Sequence, residues 1–266
     1  MLNLMLALTL LAADRPLELI AHRGESADAP ENTLAAFRLA WERKVTAIEL
    51  DVHLTKDGRL AVCHDADTKR TTGIAKVIRD SRWDQLQDLP AAHLFGEKYA
   101  DEKLPLLDDA LATIPDGARC FIEVKVGAEA IPALVKAVEA SGKQPEQLVV
   151  ISFNADAIAE SKRKLPQFKA YYLSGFKRSA AGDWTPTAEQ LIKQAKAIQA
   201  NGLDLSYRGP LDAEFARKIR DAELELYVWT VNTVDDARDM VALNVAGITT
   251  DKAAWLREEL QKPVER

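Results

Sequence analysis

Residues 46–52 read TAIELDV, a mostly apolar run that holds two acidic side chains, Glu49 and Asp51. Successive side chains of a β-strand point to opposite faces, so both carboxyl groups of this run lie on one face. Residues 119–125 read RCFIEVK and repeat the pattern, with Glu123 as the acidic residue. Strands this rich in apolar residues are typical of a parallel sheet whose outer face is covered by helices.

Similar apolar runs recur along the chain and alternate with helical patterns. The predicted strands are Leu17–His22, Thr46–Val52, Arg119–Lys125, Leu148–Ser152, Lys169–Leu173, Gly202–Ser206, Leu224–Thr230 and Ala246–Thr250. The predicted helices include Thr33–Arg43, Ala130–Ala140, Ala155–Lys164, Thr187–Ala200, Asp212–Asp221, Val234–Leu243 and Lys252–Leu260. Eight β–α units in a chain of 266 residues predict an α/β protein with a (β/α)8 TIM-barrel fold.

One connection breaks this rhythm. The interval from His53 to Ala118 is 66 residues long, and the next barrel helix is expected to begin near Leu107. We therefore predict one domain over residues 16–266, with an insertion at about 53–106 between the second strand and its helix. The insertion is expected to lie over the barrel mouth.

The composition excludes several classes of protein. A net charge of −6 argues against a nucleic-acid partner, which would require a basic surface. The two cysteines, Cys63 and Cys120, lie in apolar runs and are expected to be buried free thiols, not a disulfide or zinc ligands.

The N-terminal segment is apolar from Leu2 to Ala13 and is too short to span a bilayer. We interpret residues 1–13 as a signal peptide or a frayed N-terminal segment, although no Lys or Arg precedes the apolar run. Export is favoured, so the protein is expected in the periplasm or outside the cell rather than in the cytoplasm, without stable insertion into a membrane.

The acidic residues Glu49, Asp51 and Glu123 are predicted to meet at the C-terminal face of the barrel, where the active sites of this fold lie. Three carboxylates in one mouth repel one another unless a cation joins them. An all-oxygen ligand set suits one Mg²⁺ or Ca²⁺ ion and disfavours zinc. The alternative is that these acids form ordinary ion pairs with basic residues, namely Arg23, Arg119 and Lys125.

Two histidines are candidates for acid–base chemistry. His22 ends the first strand, and His64 follows a hairpin signal at Asp57 and Gly58. If these two residues form a tight two-residue turn, His64 lies directly opposite Asp51; a three-residue loop would shift the register by one. Two imidazoles beside a carboxylate-bound metal can divide the work of general acid and general base.

Basic residues at the strand ends predict a small anion-binding pocket. Arg23 and Lys125, together with a divalent cation, suit a single phosphate group, although both residues can also balance the charge of the carboxylates. His53 shares the strand face of Asp51 and is assigned no role.

An ordered set of short motifs runs through residues 18 to 255. It comprises His22-Arg23-Gly24, Pro30-Glu31-Asn32-Thr33, Glu49-Leu50-Asp51-Val52, Thr55-Lys56-Asp57-Gly58, His64-Asp65, residues 104–111, Ile122-Glu123-Val124-Lys125, residues 228–232 and residues 247–251. In this combination and order, the sequence resembles the glycerophosphodiester phosphodiesterase family, whose members are PI-PLC-like TIM-barrel enzymes.

The resemblance implies hydrolysis of a small-molecule glycerophosphodiester to sn-glycerol 3-phosphate and an alcohol. It implies metal ligation by Glu49, Asp51 and Glu123 and acid–base catalysis by His22 and His64. It further implies phosphate contacts from Arg23 and Lys125 and a substrate-pocket role for Trp229. Simpler explanations exist for Trp229, which could be plain core, and for Asn32 and Thr33 of the quoted motifs, since N-capping of a helix explains either of them.

Two rival functions remain at this point. The same chemistry could act on a lysophospholipid, as in a lysophospholipase D, or on a sphingolipid headgroup. That would require an apolar lip, for which the insertion offers Ile74, Val77, Ile78, Trp83, Leu86 and Leu89. A barrel that only binds a headgroup is the other rival, but a binder does not need two titrating imidazoles. The sequence leaves open which histidine is the acid, whether water or a glycerol hydroxyl attacks, and the oligomeric state.

Overall fold

Eight parallel strands close into a barrel in the computed structural model, which describes residues 17–263. The strands are β1 Glu18–Ala21, β2 Ala47–Leu54, β3 Leu60–Val62, β4 Arg119–Val124, β5 Leu148–Ser152, β6 Lys169–Ser174, β7 Lys177–Arg178, β8 Trp184–Thr185, β9 Gly202–Ser206, β10 Glu225–Trp229 and β11 Gly247–Thr250. The helices are α1 Leu34–Glu42, α2 Lys69–Thr72, α3 Leu107–Ala112, α4 Ile131–Ser141, α5 Ala155–Lys164, α6 Ala188–Ala197, α7 Ala213–Asp221, α8 Val234–Ala242 and α9 Ala253–Leu260.

The barrel follows the order β1-β11-β10-β9-β6-β5-β4-β2 and is closed by the pairing of β1 with β2. β7 and β8 form a separate short hairpin between β6 and α6. The TIM-barrel prediction is confirmed, and the predicted barrel strands agree with the observed ones to within two residues at each end.

Aromatic residues fill the lower part of the barrel. Tyr171 and Tyr227 stack with ring centroids 4.9 Å apart, and Phe121 lies 5.4 Å from Tyr227. A larger apolar core lies between the outer face of the strands and the helices and contains side chains from both. The lower interior of the barrel is therefore a packed core.

The insertion between β2 and α3 has a small apolar cluster of its own. β3 pairs antiparallel with β2, and Ile78, Leu86 and Leu89 pack in this cluster with Trp83 at its border. These side chains are therefore not available to form an apolar lip around the barrel mouth. Ile74 and Val77 are the exposed apolar residues of that predicted set.

The predicted hairpin register was wrong by one residue. His53 pairs with Ala61, and the turn has three residues rather than two, so the Cys63 N–H donates to the Asp51 carbonyl (3.0 Å). The hydroxyl of Thr55 stabilises this three-residue turn, since it accepts a hydrogen bond from the backbone N–H of Arg59 (2.9 Å). A two-residue type I′ turn needs positive φ at both central positions, but here only Gly58 has it, at +77°.

Both cysteines are free and buried, as predicted. No helix among residues 17–263 has the length and apolar character required to cross a membrane. The predicted signal peptide at residues 1–13 lies outside the described residues.

Candidate active site

The C-terminal ends of the barrel strands surround a pocket of about 210 Å³. Seven of the eight predicted site residues line it, and the eighth, Asp51, is buried and contacts two of them, Arg23 and Lys125. A larger groove of about 650 Å³ lies at the opposite end of the barrel, where Arg119 pairs with Glu18. Arg119 is thus remote from the three acids, and its proposed ion pair with them is wrong.

Three buried carboxylates form one cluster. Glu49, Asp51 and Glu123 each offer an oxygen atom within 4.8 Å of the others. Burial, together with the charges of Asp51 and Glu123, raises the pKa of Glu49 well above its usual value. Burial and the charge of Asp51 raise the pKa of Glu123 to about 7. A divalent cation held by oxygen ligands would relieve this repulsion, so the cluster fits a hard metal ion.

Two cationic side chains, Lys125 and Arg23, contact the carboxylate cluster. The Lys125 Nζ lies 2.9 Å from Glu123 Oε1 and 3.3 Å from Asp51 Oδ1, and Arg23 Nε lies 3.3 Å from Asp51 Oδ2. Burial alone would raise the pKa of Asp51, but Lys125 and Arg23 outweigh it and lower that pKa. Both basic residues therefore balance the acids while also lining the pocket.

The loop after β1 is built to bring backbone and side chains to these acids. The Arg23 N–H donates to Glu49 Oε2 (2.9 Å), with Arg23 in a left-handed conformation at φ +54°. Gly24 has φ +82° and packs so closely on α1 that a Cβ atom would lie 2.6 Å from the Cβ of Ala36. A side chain at position 24 would consequently displace the loop.

Asn32 and Thr33 have separate tasks. Thr33 is the N-cap of α1, and its hydroxyl accepts from the Ala36 N–H (3.2 Å). Asn32 instead donates from Nδ2 to Asp51 Oδ2 (2.8 Å) and accepts the Asp51 N–H (3.2 Å). N-capping therefore explains Thr33 but not Asn32, which holds the carboxylate of Asp51 in place.

His22 is held by a carboxylate, Asp251, on the side of the ring away from the carboxylate cluster. Its Nδ1 atom lies 2.6 Å from Asp251 Oδ1, and its Nε2 atom lies 4.0 Å from Glu49 Oε2. Asn232 fixes Asp251 in turn, since its side chain donates to Asp251 Oδ2 and accepts the Asp251 N–H.

His64 has the same kind of support from the insertion. Its Nδ1 atom lies 2.7 Å from Asp65 Oδ1. Asp65 Oδ2 accepts from Arg70 Nε (2.7 Å), Arg70 forms two hydrogen bonds to Glu31, and Glu31 accepts from Arg23 (2.8 Å). An unbroken chain of alternating charges thus joins His64 to the loop after β1.

His53 also helps to place His64, although the sequence suggested no role for it. The His53 Nε2–H donates to the backbone carbonyl of His64 (3.0 Å). Burial lowers the pKa of His53, which favours the neutral ring that this hydrogen bond requires. His64 therefore reaches the pocket through this contact and the chain of charges, not through pairing opposite Asp51.

Aromatic side chains form the remaining wall. Trp229 lines the pocket, its indole N–H donates to the Asp204 carbonyl (3.1 Å), and Phe153 meets it edge-on at 5.7 Å. The Trp229 side chain is half-buried and lines the pocket, so Trp229 is not simply a core residue.

Residues 22–254 match the model of the glycerophosphoryl diester phosphodiesterase family. This chain belongs to that family. Its relatives in the family include a glycerophosphodiester phosphodiesterase of Caldanaerobacter subterraneus subsp. tengcongensis, 33% identical over 248 residues that cover 91% of this chain and 97% of the relative. A Bacillus subtilis glycerophosphodiester phosphodiesterase is 30% identical and is covered over 85% of its length.

Solved structures of the same phosphodiesterase family share the fold. An Oleispira antarctica phosphodiesterase in complex with the product sn-glycerol-3-phosphate matches with a TM-score of 0.83 and 26% identity, over 92% of this chain and 97% of that one. The Thermotoga maritima glycerophosphodiester phosphodiesterase matches with a TM-score of 0.69 and 27% identity.

Sequence reasoning missed four residues of this phosphodiesterase site: Asp65, Asp251, His53 and Asp204. Asp65 and Asp251 both belong to motifs quoted above. Asp65 directly follows His64, and Asp251 directly follows the last strand, and these positions could have marked both residues as part of the site. The only sign of a role for His53 in the sequence was its position two residues after Asp51, on the same face of the strand. Asp204 was marked only as one acid inside an apolar strand.

Proposed function

We propose that this protein hydrolyses glycerophosphodiesters to sn-glycerol 3-phosphate and an alcohol. The observation that carries the proposal is the pair of imidazoles, His22 and His64, which line one pocket together with two of the clustered acids and both basic residues. Each imidazole has a carboxylate at Nδ1, an arrangement that orients the ring and leaves Nε2 available for proton transfer.

Glu49, Asp51 and Glu123 are the residues that would hold one divalent cation, Mg²⁺ or Ca²⁺. The fit rests on their chemistry: three buried oxygen donors within 4.8 Å, two of them with raised pKa values, and no thiolate or imidazole within the set. When bound, such an ion neutralises charge that develops on the phosphoryl oxygens.

The protein's own residues divide the remaining work. One of His22 and His64 removes a proton from the attacking hydroxyl, and the other protonates the departing alkoxide. Arg23 and Lys125 place positive charge at the pocket wall next to the carboxylates, where they bind the phosphate and stabilise its transition-state charge. Trp229 contacts the organic part of the substrate.

The direct test is product analysis with a panel of glycerophosphodiesters that differ in the alcohol, such as choline, ethanolamine and glycerol, with and without chelator. We expect release of sn-glycerol 3-phosphate that stops in chelator. Binding of the panel without product release, in metal-replete protein, would favour a non-catalytic headgroup-binding barrel instead.

Export from the cytoplasm is a second, separate proposal. It is supported by the apolar segment before Asp14. N-terminal sequencing of the protein purified from its host is expected to give a mature chain that begins near Asp14. An intact Met1 in the cytosolic fraction would contradict it.

A further inference from the structure

One acidic residue of the pocket takes no part in the arrangement described so far. Asp204 lies on β9, is 1% exposed, and lines the pocket together with Trp229 and Leu173. Its Oδ1 atom is buried, and no hydrogen-bond partner for it is present among residues 17–263. Within the same residues, the ion pairs around the pocket do not include Asp204.

A buried carboxyl oxygen without a partner costs free energy, and such a group calls for a bound partner such as a ligand, an ion or an ordered water molecule. In a barrel packed with apolar side chains, a hydrophobic residue would avoid that cost. The position of Asp204 at the pocket therefore indicates that a ligand supplies the missing hydrogen bond.

The position of β9 in the barrel defines which part of a ligand Asp204 can meet. β9 is four strands from β2 in either direction around the ring, so Asp204 faces the pocket from the side opposite Glu49. The side of β2 and β4 carries the acids and Lys125, where the phosphate is proposed to bind. Asp204 thus lies where a group attached to that phosphate would project.

The pocket is small, and this limits what it can enclose. Its volume of about 210 Å³ is below the roughly 300–1,000 Å³ of pockets that enclose drug-sized ligands. A phosphate with a three-carbon polyol is a suitable content of this pocket.

We propose that the Asp204 carboxyl hydrogen-bonds a hydroxyl of the substrate's glycerol group and thereby selects glycerol esters over phosphodiesters that lack hydroxyls. This inference rests on the proposed function and assigns a specificity-determining residue to it. The Trp229 N–H, which donates to the Asp204 carbonyl, would hold the strand at this position.

A hydroxyl can satisfy this carboxyl whether the carboxyl is neutral or ionised. Burial, followed by the charge of Glu123, raises the pKa of Asp204 well above its usual value. The larger of these causes, burial, does not depend on the charge of Glu123. A neutral carboxyl can donate to and accept from a hydroxyl, and an ionised carboxylate can accept from it, so a hydroxyl can satisfy the buried oxygen in either state.

The test compares two diesters with one leaving group: glycerol 3-(4-nitrophenyl) phosphate and propyl 4-nitrophenyl phosphate, which lacks both hydroxyls. We expect the wild-type protein to prefer the glycerol ester by at least about 10²-fold in kcat/KM, because sites built to bind a hydroxyl strongly reject analogues without it. Asp204→Ala is expected to reduce this preference at least ten-fold, and Asp204→Asn less, because the amide keeps one donor and one acceptor.

Leu173→Ala is the matched control, since it truncates an apolar side chain of the same pocket. It should change kcat/KM for both esters by the same factor. Asp204→Asn, which is isosteric, keeps the test valid if Asp204→Ala does not fold.

Three results would overturn the inference. Equal losses on both esters for the Asp204 variants would make the residue structural. A loss confined to diesters with a cationic alcohol, such as choline, would make it an ammonium site. Hydrolysis of neither ester by the folded, metal-replete wild-type protein would remove the proposed function as well, whereas either of the first two results would remove only the role of Asp204.

Discussion

The Nδ1 atom of His22 lies 2.6 Å from Oδ1 of Asp251, a residue 229 positions farther along the chain. The contact joins the ends of β1 and β11, which are neighbours in the closed barrel. Since Asn232 holds Asp251 on its other oxygen, the imidazole can rotate little. His22 is therefore a positioned group whose tautomer is set by a carboxylate.

Asp251→Asn is expected to lower kcat at least about 10²-fold, because an amide at Nδ1 favours the wrong imidazole tautomer, as carboxylate-to-amide changes in catalytic triads do. The melting temperature should change little, since the side-chain shape is kept. Asp28→Asn provides the control: this exposed acid of the same loop region pairs with Arg43, not with an imidazole. Equal activities of the two variants would show that Asp251 does not position His22.

His22→Ala and His64→Ala are each expected to cost about 10²–10⁴ in kcat, the usual contribution of a general acid or base. The double variant should lose less than the product of the two, because the residues act as a unit. With a nitrophenolate leaving group, which needs little protonation, only the variant lacking the acid should recover. Steady-state kinetics on both substrates measure this, and recovery of both variants or of neither would contradict a division of labour.

Chelation followed by addition of metal tests the carboxylate cluster. EDTA should abolish activity, and Mg²⁺ or Ca²⁺ should restore it, with no preference for Zn²⁺. Independently of activity, the restoring ion should raise the melting temperature, by an amount equivalent to about 2.7 kcal/mol at 100 times Kd. Glu123→Gln should show a smaller rise. Full activity in chelator, with no metal detected by elemental analysis, would exclude the metal site.

The pH dependence of stability should reveal Glu123 in the metal-free protein. Its pKa is about 7 when folded, against 4.5 for an ordinary Glu, so the folded state keeps a proton that the unfolded state has lost. Stability therefore falls as pH rises from about 4.5 to about 7, and the full penalty is present above pH 7.

Glu123→Gln removes this penalty, so at pH 8 the free energy of unfolding should rise by on the order of 1–3 kcal/mol. At pH 4 the two proteins should be equally stable, which serves as the internal control. Denaturant unfolding in EDTA at both pH values measures the effect. Marked destabilisation at pH 8 would mean that the ion pair with Lys125 dominates.

The barrel and the acidic cluster were accessible from the sequence because both depend on short-range pattern. Apolar runs locate the strands, and the alternation of faces places Glu49 beside Asp51 and both near Glu123. The capped start of α1 at Thr33 was equally local.

The placement of the imidazoles was not accessible in the same way. The position of His64 depends on whether the hairpin loop has two or three residues and on a hydrogen bond from His53. Asp251 meets His22 only after the barrel closes. Asp204 gave no signal beyond a single acid in an apolar strand, since its significance lies in the partner that it lacks.

The chain of charges from His64 through Arg70 and Glu31 to Arg23 crosses from the insertion to the barrel. Its first three members, His64, Asp65 and Arg70, belong to the insertion, and Glu31 and Arg23 belong to the barrel, so neither part carries a complete set of partners. Transplanting the insertion of this chain onto the barrel of a relative would succeed only if the recipient supplies an acid and a base at the positions of Glu31 and Arg23. When homologues are recombined, the insertion and the barrel must therefore supply matching charges. Hybrids in which these charges do not match should fold with the imidazole of His64 misplaced.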